Sequence, residues 1–171
     1  ENGNQHVFPN SFIYNAVLNA AAWTRGSRDH RLEAMRVAIE MMQDMEKNQQ
    51  ESNLSLLPHG GGDERGNQNN NSRPDAITYS IFFQACSALM QTAAEQKSVS
   101  RVVDAVFETC CYNGLVDEQV LAKFIGAASQ EVIEKHFSVL LSTSSSATLV
   151  GGLTVKDLPM EWKRNTKNRR R

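Results

Sequence analysis

The sequence predicts an all-α fold: an α-solenoid of antiparallel helix hairpins, with a long disordered insert and an extended C-terminal tail. Two observations predict it. The first is an internal repeat. Pro9-Asn10-Ser11-Phe12-Ile13-Tyr14-Asn15-Ala16-Val17-Leu18-Asn19-Ala20-Ala21 aligns without a gap on Pro74-Asp75-Ala76-Ile77-Thr78-Tyr79-Ser80-Ile81-Phe82-Phe83-Gln84-Ala85-Cys86, and residues 116–128 fit the same frame more faintly. The second is that each copy is followed by another stretch of helix-like spacing. A recurring two-helix unit means a stacked array, so function belongs to the surface the units share rather than to one catalytic pocket.

The elements follow in order. Residues 1–10 lead in. The first hairpin spans 11–47, its first helix covering 11–25, preceded by Pro9, capped by Asn10 and broken at Gly26. The second helix begins near Asp29, which accepts from the first free amides with help from Glu33 in the opening turn. Leu32, Met35, Ile39, Met42 and Met45 then recur at steps of three and four, giving one apolar stripe that reads as core packing.

Residues 48–73 are rich in Asn, Gln and Gly and have little to bury, so ordering them costs entropy without return. They read as a disordered insert, with Leu54, Leu56 and Leu57 as a short patch able to dock on the repeats and His59 as solvated loop. The second hairpin spans 74–117, with helices over 76–94 and about 98–113. Ser98 or Ser100 caps the later helix, Val102, Val103, Val106, Phe107 and Cys110 face inward, and Gly114 ends it. A short third hairpin spans 118–141, a capping or degenerate unit broken at Ser129. Val132, Ile133, Phe137 and Leu140 or Leu141 share one side of its later helix, and His136 reads as a surface or interface residue. Residues 142–171 form a Ser-rich, then basic tail. Leu153, Val155, Leu158, Met160 and Trp162 are placed to lie back over the last hairpin, since a terminal unit needs its apolar face covered.

Composition narrows the function classes. The chain has 171 residues, 40% hydrophobic and 22% charged, enough for one module or a short array. It starts at Glu1, which reads as a piece of something longer, with any targeting segment upstream. No apolar run approaches the ~18 residues of a membrane span. The net charge of −1 hides an asymmetry. Residues 156–171 carry seven basic groups against Asp157 and Glu161, a balance of +5, which leaves −6 for residues 1–155. An acidic body argues against tight, purely electrostatic nucleic-acid binding. Three cysteines do not build a disulfide framework. Cys86 stands where the first copy has Ala21, and the adjacent Cys110 and Cys111 point apart on a helix, so all read as inert thiols. With no metal-ligand cluster, phosphate-binding loop or nucleophile–base grouping at recognisable spacing, the sequence predicts no enzyme, cofactor or metal.

Pro-Asp-Ala-Ile-Thr-Tyr-Ser-Ile-Phe-Phe-Gln-Ala-Cys-Ser resembles the start of a pentatricopeptide repeat (PPR). So does Pro-Asn-Ser-Phe-Ile-Tyr-Asn-Ala-Val-Leu-Asn-Ala-Ala-Ala followed by Arg-Leu-Glu-Ala-Met-Arg-Val-Ala-Ile-Glu-Met-Met. The resemblance covers about 10–141 and makes the solenoid PPR/TPR-like. Family units run about 35 residues. Here the starts are 65 apart (9 to 74) and 42 apart (74 to 116), the first excess matching the insert and the second a longer 88–98 connection.

The resemblance implies single-stranded RNA read by the first helices, one base per unit. It assigns base reading to Asn15 with Asp75 and to Ser80 with Asp117, the first pair favouring uracil and the second guanine. Phe12 and Ile77 would sandwich the bases. The third unit departs from this pattern: Ala122 offers no hydrogen bond and Gln119 replaces the wedge, so it reads nothing. Asp75 and Asp117 also stand where helix caps stand, while Tyr14 and Tyr79 read as packing residues. Two reading units at ~1–3 kcal/mol per base give about millimolar affinity, weak for this segment alone. The implied setting is RNA processing, stability or translation in a mitochondrion or plastid. The alternative is a helical-repeat scaffold for protein–protein interaction, to which the acidic body lends weight.

Overall fold

Three helices of this protein start on the same device. Asn10, Asp75 and Asp117 stand in extended backbone, and each accepts through its side chain from the amide three residues on: Ile13 at 3.1 Å, Thr78 at 2.8 Å and Val120 at 2.8 Å. Short polar side chains do this because the first amides of a helix have no partner within it. A computed structural model describes residues 9–54, 73–142 and 153–166. The helices that start on these caps are α1 (Ser11–Ala22), α3 (Ala76–Leu89) and α5 (Glu118–Ala127). Each is followed by a second helix: α2 (Arg28–Leu54), α4 (Ala93–Asn113) and α6 (Gln130–Ser142). After a 3-10 turn at Val155–Asp157 comes the short α7 (Met160–Lys163). There is no strand among the described residues.

The first two hairpins correspond element for element at a constant offset of 65 residues (11 to 76, 28 to 93). A matching pair of hydrogen bonds closes each. Asn48 Nδ2 donates to the Tyr14 hydroxyl and Asn113 Nδ2 to the Tyr79 hydroxyl, both at 3.0 Å and both across 34 residues. The two tyrosines are thus packing residues whose polar tips are anchored to the far end of the partner helix. α1 packs along α3 and α3 along α5, while α2 lies on α1 and α3, and α4 on α3 and α5. α3 is the central helix: Tyr79, Phe82, Phe83 and Leu89 are fully buried. Each such side chain contributes about 1.5–3 kcal/mol by leaving water. The core runs on through Phe107, which stacks on Phe124 at 3.6 Å between ring centroids, and reaches Phe137.

Several boundaries differ from the sequence reading. The insert expected over 48–73 begins later, because α2 runs on to Leu54. Asn48 is tied to Tyr14, and Gln49, Gln50 and Glu51 extend an already nucleated helix at little cost. Residues 55–72, with Leu56, Leu57 and His59, lie outside the described residues. α2 is capped by Ser27, whose Oγ accepts from the His30 amide at 3.4 Å, so Asp29 is a first-turn acid rather than the cap. α1 ends at Ala22, before Gly26.

The later helix of the second hairpin starts at Ala93 rather than 98, capped by Thr92 in a reciprocal box with Glu95. Ser98 and Ser100 sit inside it, their hydroxyls donating back to the carbonyls of Glu95 and Lys97. The residues assigned to a long connection therefore lengthen the helix. Leu32 is exposed at the edge of the Met stripe, which otherwise is buried or half-buried. The side chains of Leu140 and Leu141 lie outside the described residues.

Gly114 ends α4 at φ 68°, as the sequence suggested, and for a second reason besides. A Cβ there would come within 2.5 Å of Arg164 Cγ and 3.0 Å of the Glu161 carbonyl. The tail folds back on this point. The amide of Val116 donates to the Trp162 carbonyl at 2.8 Å and that of Asn165 to the Gly114 carbonyl at 2.9 Å, while the Arg164 guanidinium donates to the Tyr112 carbonyl. Leu158 is buried and Trp162 meets Phe107 and Phe137 edge-on. The expected cap thus forms over 153–166, but with short helical turns where an extended tail was expected, and Met160 stays in solvent.

Candidate nucleic-acid interface

Positions correspond from α1 to α3 at 65 (10 to 75) and from α3 to α5 at 42 (75 to 117), so one side of the helix can be compared across all three. Phe12, Ile77 and Gln119 are exposed in every copy, and one turn on, Ala16, Ile81 and Lys123 are exposed or half-buried. Asn19, Gln84 and Gly126 continue the pattern. Because α1, α3 and α5 are neighbours, these positions make a shared open face. Phe12 is 77% exposed and Ile77 55%, two large apolar side chains left in water at matching places on adjacent helices.

Asn15 and Ser80 lie at the margin of this face. Asn15 is half-buried and Ser80 only 9% exposed. The Asn15 Oδ1 and the Ser80 Oγ are out of solvent, with no hydrogen-bond partner among the described residues. Leu18 and Phe83, three residues further on, are fully buried on the same side of each helix. Asn15 and Ser80 therefore border the seams between successive first helices, less open than a base-reading role on the wall requires of a free side chain. Ala122, the third member, is exposed.

The two acidic partners are firmly placed. Asp75 Oδ1 accepts from the Thr78 amide at 2.8 Å and the Thr78 hydroxyl at 2.9 Å, while the Asp75 amide donates to that hydroxyl at 3.2 Å. Asp117 Oδ1 accepts from the Val120 amide. Both act as helix caps through one oxygen. A cleft of about 450 Å³ opens at the C-terminal end of α1, lined by Trp23, Arg25, Arg31, Gln84 and Gln91 among others. Arg31 is already engaged there, donating to the Leu89 carbonyl at 3.2 Å.

Among the described residues, the three thiols are suppressed and one candidate ligand cluster is already occupied. Burial pushes all three thiols up, Cys111 to about 12, so none is a thiolate at neutral pH. Asp104, Glu108 and His136 bring their ligand atoms within 4.8 Å of one another, a donor set that suits a divalent cation. Lys135 already fills it, its ammonium 2.6 Å from Asp104 and 2.8 Å from Glu108, and His136 Nε2 lies 2.7 Å from Asp104. The cluster is an ion-pair network joining α4 to α6. Its counterpart between α2 and α4 is Glu95, which takes Arg28 at 2.9 Å and the amides of Gln91 and Thr92 at 3.1 Å each. The Arg28 bond, with those amides, holds this carboxyl below its ordinary range.

Sequence reasoning missed Asn48 and Asn113, although their common distance of 34 residues from a motif tyrosine was a usable signal. It also missed the Thr92-x-x-Glu95 box. Compared with known proteins, the chain matches no family model, no curated protein and no solved structure.

Proposed function

We propose that this chain binds single-stranded RNA along the shared open face of α1, α3 and α5, as part of a pentatricopeptide-type α-solenoid. One observation carries the reading. At matching positions on two adjacent helices, an exposed apolar side chain (Phe12, Ile77) precedes by three residues a polar oxygen without a protein partner (Asn15 Oδ1, Ser80 Oγ). An apolar wedge suits the face of a base, and an unsatisfied polar group beside it suits the base edge. Asp75 and Asp117 cap through Oδ1, which leaves Oδ2 to orient a base or a bridging water. The resemblance of the repeats extends the proposal to RNA processing, stability or translation in a mitochondrion or plastid.

Asn15→Ala should reduce preference for uridine-containing over other single strands while leaving the fold intact, as read by fluorescence anisotropy on short oligonucleotides. Unchanged base preference would remove Asn15 from the reading set. The second reading, a scaffold for a protein partner, is favoured by the near-neutral open face, where Lys123 is the cation among the compared positions. Salt separates the two. With Lys123 and Arg25 as phosphate contacts, log affinity for RNA should fall with log salt at a slope of about −1.4.

A further inference from the structure

The cleft at the C-terminal end of α1 carries an inference of its own. Two arginines and no acid line it, in a body whose residues 1–155 sum to −6. Arg31 serves as its frame. The Arg31 Nε donates to the Leu89 carbonyl at 3.2 Å and Nη1 to the Gly26 carbonyl at 3.4 Å, with Nη2 3.9 Å from Glu95. It thereby ties the loop after α1 to the end of α3 and the start of α4, and Glu95 answers its charge. Arg25 is different: it is exposed, and no ion pair or hydrogen bond engages its side chain among the described residues. Trp23 is 60% exposed. Its Nε1 donates to Asn19 Oδ1 at 3.2 Å, which fixes the indole and leaves its plane unstacked. Across the cleft, the Gln84 amide is unengaged among the described residues, and Gln91 makes only a 3.5 Å bond to the Ala88 carbonyl.

A free aromatic plane, a free guanidinium and two open primary amides thus meet in one cleft of about 450 Å³. Aromatic planes stack on bases, a guanidinium pairs with phosphate oxygens, and a primary amide both donates to and accepts from a base edge. A simple anion would leave the indole idle, and a neutral aromatic would leave Arg25 idle. We propose that this cleft binds a nucleotide, with the base on Trp23, the phosphate on Arg25, and Gln84 and Gln91 at the base edge. A free nucleotide and one unit of a single strand share that chemistry. The proposal has Arg25 in common with the open-face reading but does not rest on it, because its decisive ligand is a single nucleotide.

NMR of the chain titrated with adenosine 5′-monophosphate tests this. The Trp23 indole N–H and the side-chain N–H signals of Arg25, Gln84 and Gln91 should shift and saturate with a Kd of about 1 mM, while the Trp162 indole stays put. Adenosine, which lacks the phosphate, should bind about tenfold more weakly. Arg25→Ala should erase that difference, and Trp23→Ala should weaken both ligands about tenfold. Both side chains are solvent-accessible, so each variant should keep the wild-type melting midpoint. A 5′-phosphorylated tetranucleotide separates the two sources: tighter binding than the monophosphate assigns the cleft to a strand, and no tighter binding assigns it to the free nucleotide. An unmoved Trp23 indole, equal wild-type affinity for the monophosphate and adenosine, or variants that bind the monophosphate as the wild type does would overturn the proposal. Base reading at Asn15 and Ser80 is judged separately, by titration with a strand.

Discussion

At the scale of single residues, Asn15, Glu46, Ser80 and Ser129 each hold a polar atom out of solvent without a partner among the described residues, and two of them lead to stability predictions. Ser80 Oγ has no hydrogen-bond partner among the described residues, and an unmet buried polar group costs about 1–3 kcal/mol. Ser80→Ala should therefore raise stability by up to about 1 kcal/mol in urea unfolding. A loss would show that the hydroxyl is satisfied after all. The second is Glu46, half-buried on α2 with Oε1 out of solvent and unpartnered. Burial raises its carboxyl above the ordinary value of 4.5. Between that unfolded value and the raised folded one, the native state holds the proton and the unfolded chain does not, so stability falls as pH rises through the window. Glu46→Gln should raise the melting midpoint at pH 7 and lose most of that advantage at pH 4. An advantage of equal size at both pH values would point to packing rather than ionisation.

At the scale of elements, the caps and the Tyr–Asn pairs explain why the hairpins form where they do. α4 begins at Thr92, whose hydroxyl accepts from the Glu95 amide at 3.2 Å while Glu95 answers the Thr92 amide. Thr92→Ala should cost about 1 kcal/mol, and Ser98→Ala much less, since Ser98 lies in mid-helix. Equal costs would put the start of the helix back at 98. Most of this level was legible in the sequence. The repeat frame, the Asn10, Asp75 and Asp117 caps, the Gly114 stop and the Met stripe all rest on local rules about hydrogen bonds and spacing. The misplaced boundaries had separate causes. Composition set the reading of Asn48–Leu54, and the capping chemistry of Ser98 or Ser100 set the start of the later helix and left 76–94 to the earlier one, whereas a tertiary anchor at Asn48 and a reciprocal cap at Thr92 decide them. The tail shows the same limit: its apolar residues were recognisable, but not that Gly114 leaves room for Arg164 and Glu161 against the end of α4.

At the scale of the whole molecule, the row of α1, α3 and α5 turns three sequence copies into one face. Phe12 and Ile77 could be read from the motif, and the structure leaves both in solvent. The partial burial of Asn15 and Ser80 could not, because it depends on how closely successive helices approach. The small residues Ala21 and Ala22 of α1 and Cys86 of α3 are buried in the core that these helices share. If the face binds RNA, part of each seam must open toward the base edge, and the orphaned oxygens gain partners when it does. The central claim is that this face, and no other, meets a single strand. An amide chemical-shift titration with a short uridine-rich oligonucleotide tests it most directly. The account predicts shifts centred on Phe12, Asn15, Ile77 and Ser80, growing without saturation into the millimolar range; shifts confined to the Lys163–Thr166 end, or none at all, would contradict it.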